Sequence, residues 1–418
     1  MTSERECFVY IQLPHSLEVV TCGRFALTPL PGGRGVGRFV YGRSYRARPD
    51  AVPLDPIHLP ISPRTYETGK LGGVFGALRD AAPDAWGRLV IDRVLRRSDL
   101  TEVDYLLESP EDRAGALSFG REVDPPAPAR KFNRALHLKE LREAAGAIEE
   151  GRFPGGIDPR ARDVFAPTTS LGGVRPKNTV EDEAGLWVAK FPARGDRWNH
   201  AAVEAAMLRL AKRCEIQVPE IRVERLGEER VLLLGRFDRE KATEGYLRHR
   251  MVSALTMLDA EESPLETRNW SYLLLADELQ RWSSRPREDQ AELFRRMAFN
   301  ALISNDDDHP RNHAVVAPGR EWRLAPAYDL TPNPQPGVQE RTLALVCGHD
   351  GRAARRGNLL SAVPRFGLGV EEAERVIDSL IRVIRSHWRS EILEAGGGER
   401  DCDAVEAAFL HEGFEYGD

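Results

Sequence analysis

The sequence is poor in cysteine and has no long apolar run. Its 418 residues include five cysteines, none of them in a C-x-x-C pair: Cys7, Cys22, Cys214, Cys347 and Cys402. This spacing disfavours both a zinc ribbon and a disulfide framework. No apolar stretch approaches the roughly 20 residues of a membrane span, and the opening MTSERECFVY lacks the basic and apolar regions of a signal peptide. We expect a cytoplasmic, soluble protein with reduced cysteines and no membrane partner.

A strong charge of one sign is also missing. The chain has 59 lysines and arginines against 65 aspartates and glutamates, for a formal net charge of -6. Such a balance gives no general attraction to nucleic acid or anionic membrane, although a local basic patch is compatible with it. The hydrophobic share of 41% is that of an ordinary globular protein. At this length we expect two or three compact units.

The predicted elements divide the chain into three parts and indicate an α+β fold. Residues 1–125 contain the strands FVYIQL and VGRFVYG and the helix DAWGRLVIDRVLRR, which Asp84 is expected to cap. Residues 126–240 contain a helix, a Gly-rich loop, the strand LWVAKFP, the helix HAAVEAAMLRLAKRC and the strand RVLLLGRFD. Residues 241–418 show helical periodicity in SYLLLADELQRW, DQAELFRRMAFNALIS and VEEAERVIDSLIRVIRSHWRSEIL.

The densest chemistry lies in NALISNDDDHPRNHAVV. Three consecutive aspartates repel one another unless a cation or hydrogen-bond donors neutralise them. Asp307 and Asn312 have the spacing of the D-x-x-x-x-N loop of protein kinases, in which Asp accepts the hydroxyl proton and Asn binds Mg²⁺. A solvated acidic loop is one alternative. A metal site at His309 and His313 is another, although Pro310 disfavours a regular helix between them.

Two further residues extend this pattern. Asp329 ends an apolar run in WRLAPAYDLTP, as the metal-binding aspartate of a D-F-G motif does. Lys190 lies on the apolar strand LWVAKFP, where a lysine is costly without an anionic partner, and it resembles the V-A-I-K lysine of kinases. Glu204, on the following helix, is either that partner or a surface residue.

Two stretches are candidate nucleotide contacts. In SLGGVRPK, residues 170–177, small residues would let backbone N–H groups approach phosphate oxygens, and Lys177 would add positive charge. The stretch does not follow the G-x-x-x-x-G-K-[ST] pattern. Backbone groups of Leu234, Gly235 and Arg236 lie where a kinase hinge would bind the adenine edge, and only their position supports this interpretation.

Together these segments resemble the HipA family of toxin kinases, the toxin half of bacterial type II toxin–antitoxin pairs. The similar blocks are TTSLGGVRPK, WVAKFP, VEAAMLRLAKRCEIQVPE, LLLGRFDR, RMAFNALISNDDDHPRNHAVV and WRLAPAYDL, with LGGVFGALRDAAPDAWGRLVIDRVL and DRAGALSF nearer the N-terminus. The resemblance implies a two-lobed, protein-kinase-like fold. A small N-terminal α/β subdomain (1–125) would precede an N-lobe (126–240) and an all-helical C-lobe (241–418).

The resemblance also implies roles for individual residues. Asp307 would be the catalytic base, Asn312 and Asp329 the Mg²⁺ ligands, and Lys190 the ATP lysine. Further nucleotide contacts would come from Leu171, Gly172, Gly173, Val174, Arg175, Lys177, Leu234, Gly235, Arg236, His309, Arg311 and Tyr328. Ser170 stands where family members autophosphorylate, with Thr169 as the alternative, and a phosphate there would disrupt a loop that holds ATP phosphates.

The implied partners are a small DNA-binding antitoxin, through which alone the chain would meet DNA, and a translation-related protein substrate such as an aminoacyl-tRNA synthetase. Two alternatives stay open: a kinase-fold phosphotransferase acting on a small molecule, and a non-catalytic partner of an antitoxin and DNA. The arginine cluster in HDGRAARRGNLL, residues 349–360, either faces DNA or the antitoxin or is a solvated loop. Pro310-Arg311 departs from the small residue and lysine that many members have there.

Overall fold

The computed structural model describes residues 5–126, 132–134, 137–150, 175–263, 265, 267–335, 337–338 and 340–415. The chain forms two compact units. The first comprises Met1–Val188, Arg236–Ser263 and Val315–Trp322, and the second comprises Ala189–Gly235, Pro264–Ala314 and Arg323–Asp418. These units differ from the three consecutive parts predicted above, because the chain enters each unit more than once and composition along the sequence does not reveal such returns.

Helices and strands are mixed along the chain. The strands are β1 (Arg5–Gln12), β2 (Val19–Pro29), β3 (Gly35–Tyr41), β4 (Tyr66–Thr68), β5 (Leu117–Gly120), β6 (Asn133–Arg134), β7 (Lys177–Glu181), β8 (Leu186–Lys190), β9 (Ile221–Leu226), β10 (Glu229–Gly235), β11 (Arg239–Ala242), β12 (Gly245–Arg248), β13 (Arg250–Ser253), β14 (Ala314–Ala317) and β15 (Arg323–Leu324). The helices are α1 (Arg43–Arg46), α2 (Gly76–Asp80), α3 (Ala85–Leu95), α4 (Glu102–Glu108), α5 (Leu138–Glu149), α6 (His200–Arg213), α7 (Ala254–Met257), α8 (Tyr272–Trp282), α9 (Pro286–Leu302), α10 (Arg356–Ser361), α11 (Val370–Glu394) and α12 (Glu399–Val405). No described helix is long and apolar enough to cross a bilayer.

The first unit contains an antiparallel sheet of order β4-β3-β2-β1-β5. Strands β1 and β3 confirm the predicted FVYIQL and VGRFVYG strands, whereas the longer β2 was not predicted. Gly37 of β3 has a packing reason to be glycine, since a Cβ there would lie 1.8 Å from the carbonyl oxygen of Gly73. The sheet therefore admits a close backbone crossing that any side chain would block.

Helix α3 begins as its sequence predicts. The Asp84 carboxylate accepts a hydrogen bond from the Gly87 backbone N–H at 2.9 Å, which satisfies one of the free donors at the helix start. The buried face of α3, with Trp86 and Val90, packs against Ala145 and Ile148 of α5. The predicted Asp84 cap is thus confirmed, together with the helical spacing of the apolar residues.

A buried charge cluster stabilises the same unit. The Asp238 carboxylate, 1% exposed, accepts from the Arg236 Nε at 2.9 Å, the Arg239 Nη1 at 2.8 Å and the Gly115 N–H at 2.9 Å. Burial alone would raise the pKa of Asp238, but the guanidinium groups of Arg236 and Arg239 outweigh it and hold the pKa below its ordinary value. Arg236 Nη1 also donates to the Asp112 carbonyl oxygen at 2.6 Å.

The second unit contains the three predicted helices, α8, α9 and α11. Helix α8 packs against α9, and α11 packs against α6. Ser271 caps α8 by accepting from the N–H groups of Leu273 and Leu274, and Asn199 caps α6 by accepting from the Ala202 N–H. The β9–β10 hairpin, in which Glu229 pairs with Leu226, lies between α6 and α8 along the chain.

The prediction that residues 241–418 are all helical was wrong. Four short strands lie within this range: β12, β13, β14 and β15. None exceeds four residues. Segments this short provide too few positions to reveal an alternating pattern, and they are strands because neighbouring segments pair with them.

We predict that Asp238→Asn destabilises the protein by about 3–5 kcal/mol, because it leaves two guanidinium groups in a buried cluster with one carboxylate fewer. The midpoint of urea denaturation measures this loss. The matched control is Asp50→Asn, the same change in an exposed ion pair with Arg48, which should move the midpoint little. Equal shifts for the two variants would contradict the structural role of the cluster.

Candidate active site

Lys190, the last residue of β8, is bound by two carboxylates. Its Nζ lies 2.6 Å from the Glu204 Oε1 and 2.5 Å from the Asp329 Oδ1, and its side chain is only 11% exposed. Burial alone would lower the pKa of Lys190, but the charges of Asp329 and Glu204 outweigh it and raise the pKa. The ammonium is therefore charged near neutral pH, and the predicted anionic partner Glu204 is confirmed.

Glu204 is a buried residue of α6 rather than a surface residue. It is 5% exposed, and its helix neighbours Val203 and Ala205 are also buried. An isolated carboxylate in such surroundings would be costly, and the Lys190 ammonium offsets that cost. Helix α6 therefore holds Glu204 towards the strand that carries the lysine.

Asp329 has a backbone conformation that side chains rarely adopt. Its φ of 59° lies in the left-handed region, which costs free energy for a non-glycine residue. Two preceding residues hold this backbone in place. The Ala327 N–H donates to the Gln217 carbonyl oxygen at 2.7 Å, and the buried Tyr328 hydroxyl donates to the Arg311 carbonyl oxygen at 2.8 Å. The hydroxyl thus links the Asp329 segment to the Asp307–Asn312 loop.

The three consecutive aspartates have three different environments. Asp308 is 1% exposed and accepts from the Tyr272 hydroxyl at 2.5 Å and the Ala344 N–H at 2.6 Å. The two Asp306 oxygens accept side-chain amide hydrogen bonds. Asp307 has a side chain that is 79% exposed, with the His309 Nε2 4.0 Å from its carboxylate. Hydrogen-bond donors therefore engage the two outer carboxyl groups, and the central one faces solvent.

The amide donors to Asp306 are Asn333 and Gln335. The Asn333 Nδ2 lies 2.9 Å from both carboxylate oxygens, and the Gln335 Nε2 lies 2.6 Å from the Oδ2. Neither residue was predicted from the sequence. The available signal was weak: two amide side chains alternating with prolines in TPNPQP, just after Asp329.

Asn312 presents an oxygen suited to a metal ion. It ends a 3₁₀ turn, Pro310–Asn312, in which its N–H donates to the His309 carbonyl oxygen at 2.8 Å. Its Nδ2 donates to the Asp307 carbonyl oxygen at 2.7 Å, whereas its buried Oδ1 has no hydrogen-bond partner among the described residues. An amide oxygen and the Asp329 carboxylate are hard donors of the kind that Mg²⁺ prefers, so these residues fit Mg²⁺.

The alternative metal site at His309 and His313 receives no support from the geometry. His313 is 4% exposed and its ring lies edge-on to Tyr272, with centroids 5.2 Å apart. Burial, with Arg296 and His309 nearby, lowers the pKa of His313 to about 3. Across the described ranges, no three His, Cys, Asp or Glu side chains converge as a metal site would require.

Several predicted nucleotide contacts belong to the first compact unit or lie outside the described residues. Thr169, Ser170 and the loop residues Leu171, Gly172, Gly173 and Val174 fall in the segment that the structure does not describe. Arg175 and Lys177 belong to the first compact unit, where the Lys177 Nζ lies 2.7 Å from the Asp84 Oδ2 and both side chains are buried. The Lys177 ammonium thus has an anionic partner within this unit, and its role towards a nucleotide stays a prediction.

The predicted hinge has backbone donors that are already in use. Gly235 N–H donates to the Glu220 carbonyl oxygen at 2.9 Å, and Arg236 N–H donates to the Leu186 carbonyl oxygen at 2.9 Å. The Arg236 side chain belongs to the Asp238 cluster of the first unit. Adenine binding by Leu234, Gly235 and Arg236 would therefore have to use other backbone atoms of this stretch.

The arginine cluster of residues 349–360 is largely neutralised by acidic partners. Arg355 pairs with Asp350, and Arg356 lies 2.8 Å from both Asp378 and Glu415. Paired arginines present little net positive charge to a nucleic acid. The geometry gives no support to a DNA-facing cluster, and the predicted solvated loop is in part the helix α10, with Asn358 and Leu359 buried.

Two family models match separate parts of the sequence. A family model described as the HipA-like C-terminal domain matches residues 169–388, more than half of the chain, and a second, the HipA N-terminal domain, matches residues 23–120. The class is therefore that of proteins that join a HipA N-terminal domain to a HipA-like C-terminal domain. The chain belongs to the HipA family.

A solved structure with a TM-score above 0.5 shows a similar fold. A chain of the Shewanella oneidensis MR-1 complex of HipA, HipB and operator DNA superposes with a TM-score of 0.68 at 19% sequence identity, covering 96% of this chain and 94% of that one. The Helicobacter pylori proinflammatory kinase CtkA matches over 57% of this chain and 91% of its own at 14% identity. Its TM-score of 0.37 is below the level that indicates a shared fold. No curated protein sequence matches the chain.

The buried Asp308 predicts a pH dependence of stability. Burial raises the pKa of its carboxyl from 3.8 to about 7, so between these values the folded state binds a proton that the unfolded state has released. Stability from this group is therefore present at low pH and is lost as the pH rises towards 7. We expect the melting temperature of the native chain to fall relative to Asp308→Asn between about pH 4.5 and about pH 7.5.

The control for this measurement is Asp403→Asn, which removes an exposed carboxyl paired with Arg389 in the same unit. If the native chain and Asp308→Asn keep a constant difference in melting temperature across the pH range, Asp308 does not titrate between the folded and unfolded states as its burial indicates.

Proposed function

We propose that the chain is an ATP- and Mg²⁺-dependent serine/threonine protein kinase that acts as a HipA-type toxin of a type II toxin–antitoxin pair. The observation that carries this proposal is the contact of Lys190 with both Glu204 and Asp329. The same compact unit contains the exposed Asp307 carboxylate and the Asn312 Oδ1, which has no hydrogen-bond partner in the described part of the chain. A kinase-like fold of two lobes is part of the proposal.

The charges of these residues suit a bound nucleotide with its metal. Asp307, Asp329 and Glu204 supply three negative charges against the single positive charge of Lys190, so a divalent cation would balance the excess. Asn312 and Asp329 would hold Mg²⁺, which supplies charge neutralisation for the transferring phosphoryl group when bound.

Each residue of the chain would make a distinct contribution to transfer. Glu204 keeps the Lys190 ammonium oriented, and Lys190 would bind the α- and β-phosphates. Asp307 would accept the proton of the attacking hydroxyl, and its exposed carboxylate can be reached by a side chain of another protein. Arg311 and His309, next to it in the sequence, would bring further positive charge and hydrogen-bond donors to the phosphoryl group.

The partners belong to the same proposal. The relative with a TM-score of 0.68 was solved with HipB and operator DNA, which supports a small DNA-binding antitoxin as partner and contact with DNA through that complex. A translation-related protein, such as an aminoacyl-tRNA synthetase, is the substrate that we propose. Autophosphorylation would fall on Ser170, or on Thr169, and would disrupt the phosphate loop.

We predict that Asp307→Asn lowers phosphoryl transfer by about 10²–10⁴-fold, the usual contribution of a general base. The measurement is intact-mass spectrometry after incubation with ATP and Mg²⁺, followed by peptide mapping. Because Asp307 is exposed, the variant should keep its melting temperature. Asp403→Asn, an exposed acid elsewhere in the same unit, should be phosphorylated like the native chain. Near-native phosphorylation of Asp307→Asn would refute its assignment as the base.

A second prediction concerns the lysine. Lys190→Met should abolish transfer and weaken ATP binding measured by calorimetry, because the phosphates lose their cationic partner. Glu204→Gln should reduce transfer less, since the lysine keeps its charge and its contact with Asp329. If Lys190→Met only lowers the melting temperature while transfer persists, the lysine serves to neutralise Glu204 and Asp329 and does not bind nucleotide.

A further inference from the structure

The segment that follows Asp329 is bound to the loop that carries Asp307. Within this segment, the side chains of Asn333 and Gln335, hereafter the amide clamp, donate three hydrogen bonds to the Asp306 carboxylate, at 2.9, 2.9 and 2.6 Å. Asp306 directly precedes Asp307, and Asn333 comes four residues after Asp329. One short stretch of chain therefore links the proposed metal ligand to the neighbour of the proposed base.

A backbone hydrogen bond strengthens this link. The Asn333 N–H donates to the Ser304 carbonyl oxygen at 3.1 Å. Ser304 has a left-handed backbone with φ of 52°, and its hydroxyl donates to the Ala408 carbonyl oxygen at 2.6 Å. Such a conformation persists only when its surroundings hold it. Asn333 thus contacts the entrance of the loop through both its backbone and its side chain.

The amide donors also determine what Asp306 can do. A carboxylate next to Asp307 could compete for Mg²⁺ or for nearby cations. With both oxygens engaged by neutral amides, it is held away from those roles and its charge is partly neutralised. The groups that contact Asp306 directly are neutral amides, and the guanidinium group of Arg341, which donates to the Gln335 carbonyl oxygen at 3.4 Å, lies near enough to interact with its charge.

We propose that the amide clamp is a positioning device: Asn333 and Gln335 fix the Asp307 loop relative to Asp329, so that base and metal ligand share one arrangement. This inference rests on the proposed kinase function. A displacement of the base by about 1 Å can cost on the order of 10²-fold in rate. The clamp acts through Asp306 and touches neither substrate nor nucleotide.

The test exchanges the two halves of the contact. Asn333→Asp places a carboxylate against Asp306, and the two like charges should force the segments apart. The double variant Asp306→Asn/Asn333→Asp restores an amide–carboxylate pair with donor and acceptor exchanged. We expect Asn333→Asp to lower the autophosphorylation rate at saturating ATP by about tenfold or more, with the ATP concentration for half-maximal rate changed less than about twofold. The double variant should recover most of the lost rate.

The control is Gln280→Glu, the same amide-to-carboxylate change at an exposed position of α8 in the same unit. It should keep the native rate. A native rate in Asn333→Asp would overturn the proposal, and so would a double variant no faster than Asn333→Asp alone. A loss of rate that tracks a lower melting temperature in all variants would reduce the clamp to a general stabilising contact.

Amide hydrogen exchange distinguishes failure of the clamp from failure of the kinase proposal. Independently of ATP, Asn333→Asp should increase exchange in peptides that span residues 299–310 and 329–338, and the double variant should restore protection. If the native chain transfers no phosphate but this exchange pattern is observed, the kinase proposal fails while the coupling of the two segments stands. If exchange is unchanged in Asn333→Asp, the clamp does not hold the loop, whatever the activity.

Discussion

The candidate site depends on one buried lysine with two carboxylate partners. Lys190 can lie on the apolar strand β8 only because Glu204 and Asp329 offset the cost of removing its charge from water. Glu204 contacts the lysine from the buried face of α6, and Asp329 contacts it from a segment with a left-handed backbone. Strand, helix and loop are thereby coupled through a single ammonium group.

The run of aspartates shows how like charges are accommodated beside one another. One carboxylate is buried on hydroxyl and backbone donors, one is bound by side-chain amides, and the third is left exposed. The exposed position is also the one whose spacing to Asn312 matches a kinase loop. Asp306 and Asp308 are anchored on either side of Asp307, which restrains its backbone. The Asp307 carboxylate stays exposed, as the proposed base requires.

Buried charge has a different role in the first compact unit. There the Asp238 carboxylate binds Arg236, Arg239 and the Gly115 N–H, and Lys177 pairs with Asp84. These contacts contribute to the fold. Arg236 and Lys177 show why a charged residue near a motif is an ambiguous signal. Sequence position predicts a nucleotide contact for both, through the backbone of Arg236 and the ammonium of Lys177, and in the folded chain both side chains pair with a nearby carboxylate.

The sequence by itself determined the helices and strands with strong periodicity, the cap at Asp84 and the residue types of the site. These features depend on spacing within a few residues, and the contact between Lys190 and Glu204 follows from the need of a buried charge for a partner. The short strands after residue 241 depend on pairing with distant segments, and their few residues carry no period of their own. Only the tertiary structure decided which aspartate of the run is exposed and that Asn333 and Gln335 bind its neighbour. Those contacts join side chains 27 to 29 positions apart, and the hydrogen bonds between them depend on how the intervening chain folds back.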